Sequence, residues 1–113
     1  MPNCVAYTGT HDNNTARGWF EKEARDEDRK RLFEYLGREI TAAEAPAELI
    51  RLVMGSVAGA AILPMQDVLG LGPESRMNRP STPSGNWVYR LDEHAPTPRL
   101  ARELAEAARL FGR

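Results

Sequence analysis

Two short, uncharged apolar segments, separated by a long run of helical pattern, constrain the fold of this chain most strongly. The first spans residues 3–8 and the second spans residues 59–65, as expected of strands that are covered on both faces. Antiparallel neighbours need only a short turn, whereas parallel neighbours need a long crossover that is usually helical. The sequence therefore predicts an α/β fold with these two strands paired in parallel, and two such strands do not make a stable sheet alone.

Four helical segments are predicted from capping residues and apolar spacing. Residues 15–23 form the first, and the second takes Asp26 as its N-cap and ends at Gly37. The third begins at Pro46, and the last takes Thr97 as its N-cap. Their apolar faces consist of Leu32, Phe33 and Leu36 in the second helix, of Leu49, Ile50, Val53, Met54 and Val57 in the third, and of Leu100, Leu104, Ala108 and Phe111 in the last.

Residues 70–86 form a stretch rich in Gly, Pro, Ser and Asn. A connector of about a dozen residues or more without regular structure is unusually long for a compact domain, so we expect a binding loop. Residues 87–91 follow as a short strand or extended segment. Trp87 is expected in the core, because a Trp that borders a strand more often packs there than stacks on a ligand.

Charge and cysteine usage argue against several classes of function. The formal net charge is −1 and no basic stripe with interleaved aromatic residues stands out, so no nucleic-acid partner is expected. Cys4 is the only cysteine, which argues against an intrachain disulfide and favours a reducing cytoplasm. No signal peptide is apparent, and the apolar stretch at residues 57–65 is too short for a bilayer span, so no membrane association is expected.

A His-Asp pair follows the first predicted strand directly. His11 and Asp12 lie in a polar turn, and a carboxylate at the end of a buried strand is typical of enzymes built on parallel sheets. The simpler alternative is that the pair only forms an Asx-turn or a helix cap. Gln66 and Asp67 follow the second predicted strand, where contact with a substrate and bracing of the loop are equally open.

The acidic and histidine residues do not predict a metal site. Residues Asp12, Asn14 and Ala16 fail as a calcium loop at the third ligand. His11 and His94 lack partners at metal-binding spacing. We therefore expect no bound metal.

Four sequence blocks are distributed over residues 7–87, which are most of the chain: residues 7–13 (YTGTHDN), 63–72 (LPMQDVLGLG), 76–78 (RMN) and 84–87 (SGNW). In this order and spacing they closely resemble the C-terminal part of the 4-alpha-glucanotransferase family, the amylomaltases or disproportionating enzymes. The resemblance implies a (β/α)8 barrel whose seventh and eighth strands correspond to the two predicted here, so that residues 1–113 are a C-terminal segment of its catalytic domain. It also implies transfer of alpha-1,4-linked glucan segments between maltooligosaccharides, with retention of configuration and without an organic cofactor.

The resemblance also implies roles for individual residues. Asp12 matches an aspartate that binds sugar hydroxyls in the donor subsite and stabilises an oxocarbenium-like transition state, and His11 matches a hydrogen-bond donor to the same ring. Asn78 is expected beside the donor sugar, with Gln66 and Asp67 as further candidate contacts. The reaction also needs a nucleophile and an acid/base, both carboxyl groups. In the family these lie on earlier strands than the two in this chain.

Three loop positions depart from the family pattern. Asn14 stands where aspartate is common, and Arg79 and Ser81 stand where Thr and Gly are frequent, which affects substrate contacts more than reaction class. A complete barrel of this type needs roughly 250 residues, so we expect a piece of a longer enzyme that is inactive by itself. The alternative hypothesis is a non-catalytic structural or glucan-binding fragment that completes a barrel with another chain.

Overall fold

The computed structural model describes residues 3–113, which form an α/β arrangement of short strands and helices. In chain order the elements are β1 (Val5–Tyr7), α1 (Ala16–Gly18), a π-helix (Trp19–Glu23), α2 (Asp26–Leu36), α3 (Ala45–Met54), β2 (Ala60–Ile62), α4 (Met65–Val68), a 3₁₀ turn (Pro73–Ser75) and α5 (Pro98–Leu110). None of the helices in this part of the chain combines the length and the apolar character that a bilayer span requires.

Strands β1 and β2 pair in parallel, as predicted, with Val5 opposite Ala60 and Tyr7 opposite Ile62. The crossover that joins them is helical, which confirms the expected connection. Val5 is 46% exposed, and Tyr7 and Ile62 are each 48% exposed. The expectation of strands covered on both faces is therefore wrong for residues 3–113 taken alone, because the sheet that they form has two strands.

The main apolar cluster lies among the crossover helices. Phe20, Ile40 and Ala45 are buried at its centre. Half-buried side chains pack around them, namely Trp19, Leu32, Phe33, Leu36 and Ala42. The predicted packing face of α2 is thus confirmed. Burial of a side chain such as Phe20 stabilises a fold by about 1.5–3 kcal/mol, so this cluster anchors the crossover to the first helical segment.

Two helix ends have the capping residues that the sequence predicts. The Thr97 hydroxyl accepts a hydrogen bond from the Leu100 N–H at 3.1 Å, which caps α5. Gly37 ends α2 with a φ of 78°, a left-handed conformation that glycine adopts without the strain of a Cβ atom. Both predictions are confirmed.

Two other helix ends differ from the prediction. Arg25 is the cap residue of α2 and Asp26 is its first helical residue, because the Asp28 carboxylate accepts from the Arg25 N–H at 3.0 Å. Helix α3 ends before Val57, which is exposed and so does not continue the predicted apolar face. The Ser56 hydroxyl donates to a carbonyl of the last turn of α3 at 2.7 Å and helps to end that helix.

The parallel pairing decides where the polar turns lie. Because β1 and β2 run in the same direction, the segments that follow them leave the sheet at the same edge. This edge carries the turn of residues 8–15 and the start of α4. Residues 76–78 return to the same edge, because the Asn78 N–H donates to the His11 carbonyl at 3.0 Å.

Candidate functional site

The turn after β1 is closed by side chains other than that of Asp12. Asn13 Oδ1 accepts hydrogen bonds from the Thr10 N–H at 2.7 Å and from the Thr10 hydroxyl at 3.0 Å. Helix α1 is capped by Thr15, whose hydroxyl accepts from the Gly18 N–H at 3.0 Å. These contacts perform the turn and capping roles that the simpler alternative gave to the His-Asp pair. The carboxylate of Asp12 is left for other partners.

The Asp12 carboxylate contacts the loop that returns after the 3₁₀ turn. Asn78 Nδ2 donates to Asp12 Oδ1 at 2.7 Å, and His11 Nε2 lies 3.4 Å from Asp12 Oδ2. The Asp12 side chain is 49% exposed. The fold therefore brings three of the five predicted site residues together, and it presents a carboxylate with one oxygen already fixed by an amide.

Arg76 connects this cluster to the rest of the fold, and the sequence pattern singled it out only as part of the 76–78 block. Its guanidinium donates to the Asp12 carbonyl from Nη2 at 2.7 Å and to the Asn78 carbonyl from Nε at 2.9 Å. Its Nη1 lies 3.4 Å from Glu23 Oε1. The side chain is only 14% exposed, although charged side chains are usually solvated. Its burial among carbonyls was not apparent from sequence spacing.

Trp87 lies against His11, and the prediction that it belongs to the core is wrong for residues 3–113 taken alone. Trp87 is 60% exposed, and its ring centroid lies 5.2 Å from that of His11. The backbone N–H of Trp87 donates to the Met77 carbonyl at 2.7 Å, and its backbone φ is 60°. A left-handed φ is rare for a bulky residue, and such strained positions cluster at functional sites. This bend directs the ring outward, which a strand-like sequence pattern does not reveal.

Asp67 joins the two strand ends from inside the fold. It is only 2% exposed. One carboxylate oxygen accepts from the Thr8 hydroxyl at 2.6 Å, and the other accepts from the Ala16 N–H at 2.7 Å. Both oxygens are therefore engaged by the chain itself. Of the two roles that the sequence left open for Asp67, this geometry favours bracing.

Gln66 lies in the wall of a surface cavity of about 160 Å³ between the turn after β1 and the start of α4. Its Nε2 donates to the Ser75 carbonyl at 3.3 Å, so the side-chain carbonyl remains available as an acceptor. His11, Asp67 and Arg76 also line this cavity, whereas Asp12 is not among its lining residues. The predicted residues thus form one wall of the cavity and the exposed surface beside it.

This arrangement suits a ligand rich in hydroxyl groups. The Asp12 carboxylate is an acceptor, the Gln66 side-chain carbonyl is a second acceptor, and the His11 imidazole supplies a donor. Among residues 3–113, no three His, Cys, Asp or Glu side chains converge closely enough to hold a metal ion. The chemistry that these residues themselves offer is hydrogen bonding and stabilisation of positive charge near Asp12.

Comparison with known sequences finds close relatives. A family model described as 4-alpha-glucanotransferase matches residues 1–95. The 4-alpha-glucanotransferase of Aquifex aeolicus (strain VF5) is 57% identical over 91 residues, covering 80% of this chain and 19% of the relative. That of Clostridium butyricum is 45% identical over 112 residues, covering 98% of this chain and 23% of the relative. The chain spans about a fifth of the length of these curated relatives.

A solved structure is similar over almost the whole chain. It is the amylomaltase from Streptococcus agalactiae in complex with acarbose, which is 32% identical and matches with a TM-score of 0.87. The match covers 96% of this chain and 22% of that chain. The α/β arrangement described above therefore recurs within a much longer protein.

Proposed function

The chain belongs to the 4-alpha-glucanotransferase family, and on that premise we propose that it is a segment of a retaining enzyme that transfers alpha-1,4-linked glucan between maltooligosaccharides. We propose further that residues 1–113 contribute the last two strands of a catalytic (β/α)8 barrel. Active sites of such barrels lie at the carboxyl ends of the strands. The turn after β1 and the start of α4 occupy that edge of the two-stranded sheet.

The observation that carries this proposal is the hydrogen bond between Asn78 Nδ2 and Asp12 Oδ1 at 2.7 Å. It fixes one oxygen of a half-exposed carboxylate beside the strand end, while the other oxygen lies 3.4 Å from His11 Nε2. A sugar ring that develops positive charge attracts a carboxylate more strongly in the transition state than in the ground state. Asp12 in this role lowers the barrier without itself bonding to carbon.

The neighbours of Asp12 support a sugar as the ligand. His11 supplies a donor beside Asp12, and Gln66 presents an acceptor in the adjoining cavity. The related amylomaltase was solved with acarbose, a glucan analogue, which supports a glucan substrate for this family member as well. We assign Asp67 to bracing, because both of its carboxylate oxygens are engaged within the fold.

The rest of the reaction has to come from outside this segment. Retaining transfer needs a nucleophile and an acid/base carboxyl group on either side of the scissile bond. We propose that both lie on the parts of a full-length enzyme that correspond to the remaining four fifths of its relatives. The half-exposed Val5, Tyr7 and Ile62 support this, because neighbouring strands and helices of a barrel would cover them. We place that enzyme in the cytoplasm.

The second candidate is a non-catalytic glucan-binding or structural piece that completes a barrel with a separately encoded chain. The same half-exposed strand residues favour it, because they need a cover in either case. The two candidates predict different reading frames in the gene upstream of Met1. If the reading frame continues upstream of Met1 into the rest of a barrel, the segment belongs to one polypeptide, and an upstream stop codon favours the separate chain.

Disproportionation of maltotriose tests the proposal. We expect the full-length enzyme to release glucose and longer maltooligosaccharides, and the 113-residue chain to release none above a buffer control. A full-length enzyme without this activity would refute the proposed function. Activity of the 113-residue chain that survives repurification would refute the assignment of nucleophile and acid/base to other strands.

A further inference from the structure

We propose that Arg76 is a positioning residue that holds the Asp12 carboxylate and the Asn78 amide in the geometry that transfer requires. This inference rests on the proposed function. Arg76 contacts neither carboxylate oxygen of Asp12 in the structure. It binds instead the main chain of both residues, at 2.7 Å from the Asp12 carbonyl and 2.9 Å from the Asn78 carbonyl.

Three hydrogen bonds connect residues 76–78 to residues 11–12. They are Arg76 Nη2 to the Asp12 carbonyl, the Asn78 N–H to the His11 carbonyl, and Asn78 Nδ2 to Asp12 Oδ1. Of the three, the Arg76 contact restrains the backbone of Asp12 itself. If it is lost, the backbone of Asp12 keeps only the long hydrogen bond from its N–H to the Thr10 hydroxyl at 3.3 Å, within the turn itself, so the carboxylate and its backbone can shift together.

Glu23 makes this arrangement compatible with the role of Asp12. Its carboxylate lies 3.4 Å from Arg76 Nη1 and provides a counter-charge for the guanidinium, which is only partly exposed. The positive charge of Arg76 therefore faces Glu23 and two carbonyls. The Asp12 carboxylate instead accepts a hydrogen bond from the neutral side-chain amide of Asn78. The negative charge of Asp12 remains available to a sugar that becomes cationic in the transition state.

The acceptors around Arg76 suit a guanidinium. The side chain uses Nε, Nη1 and Nη2 toward three acceptors, and a guanidinium offers five N–H donors in a fixed planar fork. Lysine keeps the charge but donates from a single point. Arg76→Lys therefore separates the loss of positioning from the loss of charge.

Arg29 is a matched control within the same chain. It too binds two carbonyls and one carboxylate, with Nη1 at 3.0 Å from the Phe20 carbonyl and at 2.6 Å from the Ala24 carbonyl, and Nη2 at 2.7 Å from Asp26 Oδ1. Its side chain is 27% exposed. The hydrogen bonds of the Arg29 side chain are to the π-helix, to the residue that caps the π-helix and to α2. None of them is to residues 11–12 or 76–78. Arg29→Lys therefore reports the structural cost of the same change away from the site.

The experiment measures kcat and KM for maltotriose disproportionation in the full-length enzyme and its Arg76→Lys, Arg29→Lys and Asp12→Asn variants. A misplacement of about 1 Å at a reacting centre costs about 100-fold in rate, so we expect Arg76→Lys to lower kcat by about 10- to 100-fold with KM within about threefold. Arg29→Lys should leave both values within about threefold of the parent enzyme.

A second readout separates positioning from stability. In Arg76→Ala, guanidinium chloride at tens of millimolar should restore part of kcat, because the free ion has the planar donors that the three acceptors require, whereas ammonium chloride should not. If Arg76→Lys keeps its kcat within about threefold while Asp12→Asn loses activity, Arg76 has no positioning role and the proposed function stands. Equal losses of kcat in Arg76→Lys and Arg29→Lys that follow the fraction of unfolded protein would also overturn the inference. An unchanged Asp12→Asn variant overturns the role proposed for Asp12, whereas a full-length enzyme that does not disproportionate maltotriose overturns the proposed function itself.

Discussion

Asn78 donates its side-chain amide to Asp12 Oδ1 at 2.7 Å, although 66 positions separate the two residues in the sequence. The parallel pairing of β1 and β2 makes this contact possible, because it places the turn after β1 and the loop after α4 at the same edge. The contact turns an exposed acidic residue into an oriented acceptor. The contribution of this hydrogen bond to turnover is therefore the first quantity to measure.

Asn78→Ala should lower the turnover of the full-length enzyme by about tenfold, because a hydrogen bond to a charged group contributes about 1.5–3 kcal/mol and this one is partly exposed. The backbone N–H of residue 78 keeps its bond to the His11 carbonyl, so the loop stays attached. Steady-state kinetics on maltotriose give the measurement. Asn86→Ala is the control, because Asn86 Oδ1 accepts from the Arg79 N–H at 2.8 Å in the same loop and does not contact Asp12. Equal effects of the two variants would mean that only loop order matters.

Asp12→Asn should lower kcat by about two to three decades, or about 2.7–4 kcal/mol, with a much smaller change in KM. The substitution preserves size and removes the charge that a cationic transition state needs. Asp92→Asn is a matched control, because Asp92 Oδ1 accepts from the His94 N–H at 2.8 Å in a purely local turn. Kinetics and circular dichroism would be compared for both. If Asp12→Asn stays within a few-fold of the parent, like its control, the His-Asp turn has only a structural role.

Asp28→Asn should make the thermal stability of the fold less dependent on pH in the acidic range. The Arg25 N–H donates to Asp28 at 3.0 Å and lowers the pKa of this carboxyl group, Arg31 and the Arg25 side chain add to the effect, and burial opposes it. A lowered folded-state pKa stabilises the fold above the unfolded pKa, and this contribution is lost as the pH falls through the folded value, below about pH 4. Thermal unfolding of the full-length enzyme at a series of pH values should therefore show parent and variant converging in acid. Glu34→Gln, an exposed change on the same helix, serves as the control. A difference in Tm that is constant with pH would contradict the assignment.

The sequence predicted the parts of the fold that depend on local chemistry. Thr97 and Gly37 mark helix ends as expected, because a capping hydroxyl and a left-handed glycine act within one turn. The parallel pairing followed from the length of the crossover. The predicted segment at residues 15–23 became a short α-helix followed by a π-helix, a distinction that apolar spacing does not resolve.

The candidate site was only partly predictable from the residues. The turn containing His11 and Asp12 follows a strand, so it could be located along the chain, but its partner Asn78 was expected only through the family resemblance. Arg76 was missed as a central residue, because a charged residue in a polar loop normally predicts solvent exposure. Trp87 was misassigned, because its outward direction comes from a left-handed φ that residue type does not predict.

Asp67→Asn should affect stability more than turnover, in contrast to Asp12→Asn. Asp67 is buried and accepts from the Thr8 hydroxyl and the Ala16 N–H, so it ties β1 and α1 to α4. An asparagine can accept from Ala16 with its one oxygen, and its amide then faces the Thr8 hydroxyl as a donor. Weakening of these bonds should cost about 1–3 kcal/mol of unfolding free energy.

Denaturant unfolding and kinetics of the full-length Asp67→Asn and Thr8→Ala variants measure this effect. Thr8→Ala removes one of the two donors and leaves the Asp67 charge and the Ala16 contact in place, so it should be destabilised in the same direction by a smaller amount. Both variants should keep kcat within about tenfold of the parent for the fraction that is folded. A loss of kcat in Asp67→Asn that matches Asp12→Asn, without a loss of stability, would show that Asp67 acts on the substrate and that its bracing contacts are secondary.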